Sequence, residues 1–109
     1  MHKILAVVSI IVCLAIAGCA TVDVTKTAKG FHAPTQADDV EILMSVPDCA
    51  YEEIASISTR GWSPSSTAKM HNALRSKAAP MGANAVVLLN SGLDANGRLW
   101  STGMAIRYE

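Results

Sequence analysis

The sequence predicts an α+β fold: a small sheet of about four strands, in the order β-β-α-β-β, with one packed helix and preceded by a flexible tether. Apolar and polar residues alternate over residues 40–46 and 100–108, as they do in half-buried strands. Apolar residues recur at helical spacing over residues 70–81. Residues 85–89 are apolar at every position, which indicates a strand that is covered on both faces or packed in an oligomer. The domain is therefore assigned to residues 40–109.

The two segments before the helix are both predicted to be strands. Residues 40–46 form the first strand, which ends at Pro47 because proline cannot donate a ladder hydrogen bond. In residues 51–59 the apolar residues are spaced by three, as on a helix, but the β-branched residues favour a strand. Because Gly61 and Pro64 leave too little room for a helix of ordinary length, we predict a second strand that carries a bulge.

The helix and the last two strands follow from start, stop and turn signals. The helix is predicted to begin at Ser63–Ser66, where hydroxyl residues surround a proline, and to end near Gly82, which favours a left-handed conformation. Strand, helix and strand in succession imply a right-handed crossover, so the second and third strands are expected to run parallel. The turn pair Asn96-Gly97 then returns the chain antiparallel in the last strand.

The amino terminus, residues 1–18, resembles a bacterial lipoprotein signal peptide. An apolar run from Ile4 to Ile16 follows a weakly basic start. Its length suits a secretory segment, whereas a membrane-spanning helix needs about 20 residues. The tetrad Ile16-Ala17-Gly18-Cys19 resembles a lipobox. We therefore expect cleavage between Gly18 and Cys19 and attachment of lipid to the Cys19 sulfur.

The expected lipid determines where the mature protein is located. Acyl chains on Cys19 bind the lipid bilayer, since two or more chains anchor a protein stably. Ala20 stands where an aspartate would retain an enteric lipoprotein at the inner membrane, so we expect the outer membrane of a bacterial cell envelope, with the protein facing the periplasm. Residues 19–39 have no sustained apolar period and are predicted to be a flexible, lipidated tether. A coil of about 20 residues averages about 25 Å end to end.

Composition and motif spacing exclude several classes of function. The chain has nine Lys and Arg residues and nine Asp and Glu residues, with no basic run, so no nucleic-acid partner is expected. No Ser or Cys stands in a recognisable set with a base and an orienting group, so no catalytic residue is predicted and the chain is not expected to be an enzyme. No pair of His or Cys residues has metal-ligand spacing, so neither a metal nor a cofactor is predicted.

Two residues are candidates for interaction with a partner. Cys49 is the only thiol left after signal removal and lipidation, so no intrachain disulfide is expected. This residue either bonds to a partner or is a small, partly buried apolar side chain. Trp62 precedes the helix in a predicted loop, where it is either an exposed binding residue or a lid over the end of the core.

Three segments resemble the YbjQ/RcsF-like group of small bacterial domains. They are Tyr51–Ile57, then Gly82-Ala83-Asn84-Ala85-Val86-Val87 after the helix, and Gly103–Arg107 in the last strand. The resemblance covers residues 40–108. It implies a comparable anchored, non-catalytic domain, for which sensing of envelope stress through partner proteins is one known role.

Two functions from different classes are compatible with these observations. The first is an interaction or scaffold protein that docks another envelope protein, through the exposed edge of its sheet. The second is a periplasmic domain that binds a ligand or a metal as a homo-oligomer, which the wholly apolar segment 85–89 and the lone Cys49 favour.

Overall fold

The computed structural model describes residues 20–28, 30 and 32–108. These residues form five strands, one α-helix and two short 3₁₀ turns, Ala37–Asp39 and Ala79–Met81. In chain order the regular elements are β1 (Thr21–Lys26), β2 (Glu41–Leu43), β3 (Tyr51–Trp62), α1 (Thr67–Ala78), β4 (Ala85–Leu93) and β5 (Leu99–Tyr108). The expected signal peptide, residues 1–18, and the expected lipid site at Cys19 lie outside the described residues.

The strands form one mixed sheet in the order β1-β3-β5-β4-β2. Every neighbouring pair is antiparallel except β2 and β4, which run parallel. The α+β class and the single helix are confirmed, but the prediction of about four strands in the order β-β-α-β-β is wrong. β3 and β4 do point the same way, and β5 lies between them because it pairs antiparallel with both.

The additional strand, β1, lies inside the segment that was predicted to be a flexible tether. It pairs with β3 from Thr21 opposite Arg60 to Lys26 opposite Ala55. The prediction of a tether over residues 19–39 is therefore wrong for this part. A strand that joins an existing sheet edge obtains its backbone hydrogen bonds from the neighbour, so it needs little apolar surface of its own. Val22 is the side chain of β1 that packs on the core.

The predicted first strand, residues 40–46, is shorter than expected. β2 ends at Leu43, and Met44 and Val46 are 72% and 49% exposed instead of buried. The topology explains this difference. The chain must return from the β2 edge to Tyr51, which pairs with Tyr108 at the end of the sheet where β2 began. The chain therefore leaves the sheet edge after three residues of pairing with β4.

The helix packs on one face of the sheet and forms the main core. Met70, Leu74 and Ala78 are its buried residues. The last two pack with Ile54, Ile57, Val86 and Ala105 from the strands. The helix ends as predicted: a 3₁₀ turn containing Pro80 follows it, and Gly82 then has the left-handed φ of 84°.

A second, smaller apolar cluster lies on the opposite face of the sheet. Ala85, Val87 and Ile106 are fully buried there, and Leu43, Met104 and Tyr108 pack against them. Successive side chains of a strand point to opposite faces of the sheet. Val86 and Ala105 face the helix, so their chain neighbours Ala85, Val87 and Ile106 face the other side. The first part of β4 is therefore covered on both faces, as its apolar sequence predicted.

Candidate functional site

The second half of β4 has an open edge. β2 pairs with β4 only from Ala85 to Val87, and no other strand of the described chain pairs with residues 88–93 on that side. Leu89 forms a β-bulge. Leu88 pairs with Gly103 and Asn90 pairs with Thr102, which are consecutive residues of β5, so Leu89 has no partner of its own on that strand. This unpaired segment, residues 88–93, is called the free edge below.

Backbone groups of the free edge point away from the sheet. The Asp94 amide donates to the Arg98 carbonyl at 2.9 Å, so these two residues form a hydrogen-bonded pair. Hydrogen-bonded and non-hydrogen-bonded pairs alternate along an antiparallel ladder. Counting back from Asp94, the pair of Leu93 is non-hydrogen-bonded, that of Gly92 is hydrogen-bonded, and that of Ser91 is again non-hydrogen-bonded. The amide and carbonyl of Ser91 therefore point away from β5, towards the open side of β4. The Ser91 amide donates at 3.0 Å to the side-chain oxygen of Asn90, a local bond that an incoming strand would replace.

Large apolar side chains accompany this free edge. Leu89 is 61% exposed, Leu93 57% and Met44 72%. A groove of about 500 Å³ runs beside them between the sheet and the start of α1, with a lining that includes Met44, Met70, His71, Leu88, Leu89 and Leu99. Burial lowers the pKa of His71, and the nearby Arg75 guanidinium lowers it further, so the imidazole is neutral at pH 7. The groove therefore combines five apolar side chains with a neutral imidazole and the polar residues Thr67, Asn90 and Ser91.

A second cavity, of about 460 Å³, lies at the opposite end of the sheet and, unlike the groove, has acidic and basic side chains in its lining; it is called the polar cavity below. Its lining includes His32, Cys49, Glu52, Arg107 and Tyr108. His32 Nε2 lies 2.9 Å from Glu52 Oε2, and the Arg107 guanidinium donates to the Gly82 carbonyl at 2.8 Å. These polar groups bond to other parts of the protein, which gives them a structural role.

Asn84 and Glu41 hold Tyr108 in place at this cavity. The Asn84 amide group donates to the Tyr108 carbonyl and accepts from the Tyr108 amide, at 2.5 and 3.1 Å. The Tyr108 hydroxyl donates to Glu41 at 3.1 Å. Desolvation raises the pKa of Tyr108, and the bond to Glu41 and the charge of Glu41 raise it further. The tyrosine is therefore a neutral donor at pH 7.

The two predicted interaction residues lie at opposite ends of the sheet. Cys49 is a free, exposed thiol at the polar cavity, so its interpretation as a partly buried apolar residue is wrong. Trp62 ends β3 and is half-buried, and its indole nitrogen donates to the Thr59 hydroxyl at 2.6 Å. The prediction that Trp62 lies in a loop is therefore wrong, and the structure places it far from Cys49. Gly18 and Cys19 lie outside the described residues.

The sequence predicted docking at an exposed sheet edge but did not locate that edge, because residues 85–89 have a uniformly apolar sequence. That run predicted burial throughout, yet Leu89 is exposed. The sequence does contain one signal, the polar pair Asn90-Ser91 directly after this run. It marks the point beyond which the strand is no longer covered by other parts of the protein.

Within residues 20–28, 30 and 32–108, no three His, Cys, Asp or Glu side chains are grouped to hold a metal ion. None of the helices in these ranges is both long and apolar enough to cross a bilayer.

Comparison with known proteins gives one structural similarity. No family model and no curated protein sequence matches the chain. The fold is similar to the crystal structure of a Francisella virulence factor, FvfA, with a TM-score of 0.59 and 13% sequence identity. The match covers 79% of this chain and 96% of that one. At this identity the similarity establishes a shared fold.

Proposed function

We propose that this chain is a lipid-anchored envelope protein that acts without catalysis, by docking an extended segment of another envelope protein along the free edge of β4. The observation that carries the proposal is the combination of outward-pointing backbone groups at Ser91 with exposed Leu89 and Leu93 on one strand edge. The lipobox-like tetrad ending at Cys19 supports the anchor, and Ala20 directly after it supports a location at the outer membrane, facing the periplasm.

Strand addition suits this edge physically. A peptide that continues the line of β2 along β4 would gain main-chain hydrogen bonds, each contributing about 0.5–1.5 kcal/mol net. Covering a leucine such as Leu89 contributes about 1.5–3 kcal/mol for complete burial. The preferred partner therefore has apolar side chains at alternating positions, one of which enters the groove beside Met44 and Met70.

The family resemblance is consistent with this role. The YbjQ/RcsF-like segments support an anchored interaction domain, and sensing of envelope stress is one form that such an interaction takes. FvfA is described as a virulence factor, which is a property of that protein; its similarity here supports the fold on which the free edge is built.

Site-specific photocrosslinking in intact cells tests the proposal. A photoreactive amino acid replaces Leu89 in the full chain, and a matched variant carries it at Ser76, an exposed position of α1. We expect a discrete crosslinked species with an envelope protein from position 89 and none from position 76. Equal crosslinking from both positions, or none from position 89, would contradict docking at the free edge.

The alternative function, an oligomeric domain that binds a ligand or a metal, is favoured by the polar cavity beside Cys49 and His32. Native mass spectrometry of the full chain released from detergent micelles distinguishes the two functions. A bound small molecule, or a defined oligomer that Tyr108→Phe and Arg107→Gln disrupt, would favour the alternative. A bare monomer would eliminate it.

A further inference from the structure

We propose that one end of the sheet, which carries both tryptophans of the chain, rests on the surface of the lipid bilayer. This surface, called the Trp end, consists of Thr21, Arg60, Trp62, Leu93, Leu99 and Trp100. The inference rests on the proposed lipid at Cys19 and adds the orientation of the domain that this lipid anchors.

The first step is the short distance along the chain between the anchor and the sheet. Cys19 and Thr21 are separated by two peptide units, which span at most about 7.6 Å. Thr21 is already paired with Arg60, so β1 begins in the sheet without an intervening tether. The lipid at Cys19 therefore holds the sheet end at Thr21 within a few ångströms of the bilayer interface.

The second step is the register, which brings the tryptophans to this end. Thr21 pairs with Arg60, Arg60 with Trp100, and Trp100 with Gly92, forming one row across four strands. Neighbouring strands are about 4.8 Å apart, so Trp100 lies about 10 Å from Thr21. The next row outward contains Trp62, Leu99 and Leu93.

The third step is the chemistry of these side chains. The chain has two Trp residues, and both lie at the Trp end. Indole rings favour the headgroup region of a bilayer because they are apolar with one polar edge. Leu93 is 57% exposed, and the exposed Arg60 and Arg98 are suited to bind lipid phosphates. A small cleft of about 220 Å³ between Arg60, Trp100 and Asp23 opens beside them.

The distribution of acidic residues agrees with this orientation. At the Trp end, the Asp94 carboxylate accepts backbone N–H bonds from Asn96 and Arg98 at 2.8 and 3.0 Å, which occupies it within the hairpin loop. Asp23 also lies near the Trp end, in the cleft with Arg60. The opposite end of the sheet, called the acidic end below, combines two basic residues, Lys26 and Arg107, with six carboxylates: Asp38, Asp39, Glu41, Asp48, Glu52 and Glu53. An anionic leaflet repels that end and favours contact with the Trp end.

The orientation also determines how a partner approaches. β4 runs from Ala85 at the acidic end to Leu93 at the Trp end, so the free edge extends to the bilayer surface. A segment that docks along the free edge would therefore lie next to the bilayer surface.

Spin-label accessibility in membranes tests this inference. The full lipidated chain, with Cys49→Ser as background, is reconstituted in vesicles of phosphatidylethanolamine and phosphatidylglycerol. A label is placed at Asn96 in the hairpin loop of the Trp end or, as the matched control, at Asp38 at the acidic end. We expect the label at Asn96 to lose accessibility to a water-soluble relaxant when vesicles are added and the label at Asp38 to remain accessible.

Intrinsic fluorescence gives a second readout without a label. The variants Trp62→Phe and Trp100→Phe each retain one tryptophan as the fluorophore. With brominated phosphatidylcholine in the vesicles, the tryptophan fluorescence of both variants should be quenched. Arg60→Gln combined with Arg98→Gln should weaken this quenching in anionic vesicles more than in neutral ones. A chain that fails to float with vesicles would refute the anchor and the proposed function. A chain that floats, with labels at Asn96 and Asp38 equally accessible and its tryptophans unquenched, would refute the orientation alone.

Discussion

Both halves of β4 carry large apolar side chains, but the environments of these side chains differ. Ala85, Val86 and Val87 are buried because α1 covers one face, the second apolar cluster lies on the other, and β2 pairs with their edge. Leu89 and Leu93 continue the apolar sequence but are mostly exposed. The difference arises from the length of β2, which ends after three residues. The apolar composition of a strand therefore does not distinguish core from interaction surface; the extent of its neighbours does.

The largest predicted effect belongs to the buried half. Val86→Asp places a charge in the main core with no partner, and we expect the free energy of unfolding to fall by about 4 kcal/mol or more. Urea denaturation of the full chain in detergent measures the change. A loss of about 0.5 kcal/mol or less, the size of an ordinary surface substitution, would show that this half is not core.

Close packing between β4 and β5 predicts the next effect. A Cβ atom at Gly103 would lie 2.8 Å from Val86 Cγ1 and 3.3 Å from the Val87 carbonyl oxygen. Gly103→Ala is therefore expected to lower the free energy of unfolding by about 1–3 kcal/mol through overpacking. Denaturation in the Val86→Ala background provides the control. The penalty should shrink there, because the smaller side chain at position 86 removes the closest contact.

In the exposed half of β4, a substitution should affect partner binding much more than the stability of the fold. Leu89→Asp should change the free energy of unfolding by about 0.5 kcal/mol or less, since the side chain is mostly in water. It should nevertheless abolish capture of the envelope partner in a pull-down from solubilised membranes. The matched variant Ser76→Asp on α1 should alter neither property. A strongly destabilised Leu89→Asp protein would mean that this half also belongs to the core.

The smallest predicted effect concerns His71 in the groove. Because its pKa is lowered, the folded state disfavours the protonated imidazole, and the associated stability is present above pH 6.5 and decreases as the pH falls through the lowered pKa. NMR titration of the His71 ring should give a midpoint below that of a His in an unfolded peptide. Arg75→Gln should raise this midpoint, because it removes the positive charge that contributes to the shift. A midpoint that does not move would assign the shift to burial alone.

The sequence predicted the elements whose signals are local. The Ser63–Ser66 start, the stop at Gly82 and the turn at Asn96-Gly97 each act within a few residues, and α1 and the β4–β5 hairpin follow them. The bulge expected in residues 51–59 is present as a register shift between Glu53 and Ala55.

The elements that sequence analysis missed depend on distant residues. Thr21–Lys26 alternates weakly and becomes a strand because β3 offers a free edge to it. β2 stops at Leu43 because the chain must return to Tyr51, a requirement of topology that no local pattern encodes. The candidate site shares this origin. Leu89 lies beyond the end of the pairing with β2 and at a bulge in the pairing with β5, so its exposure could not be predicted from residues 85–89.

The most direct test of docking by strand addition is a comparison of Ser91→Pro with Ser91→Ala in the photocrosslinking experiment at position 89. Proline removes the outward amide of the free edge and leaves the β5 ladder intact, because Ser91 is in a non-hydrogen-bonded pair; alanine removes only the hydroxyl. The account predicts that Ser91→Pro eliminates the crosslinked partner while Ser91→Ala retains it, with both proteins folded. Equal crosslinking by the two variants would contradict it.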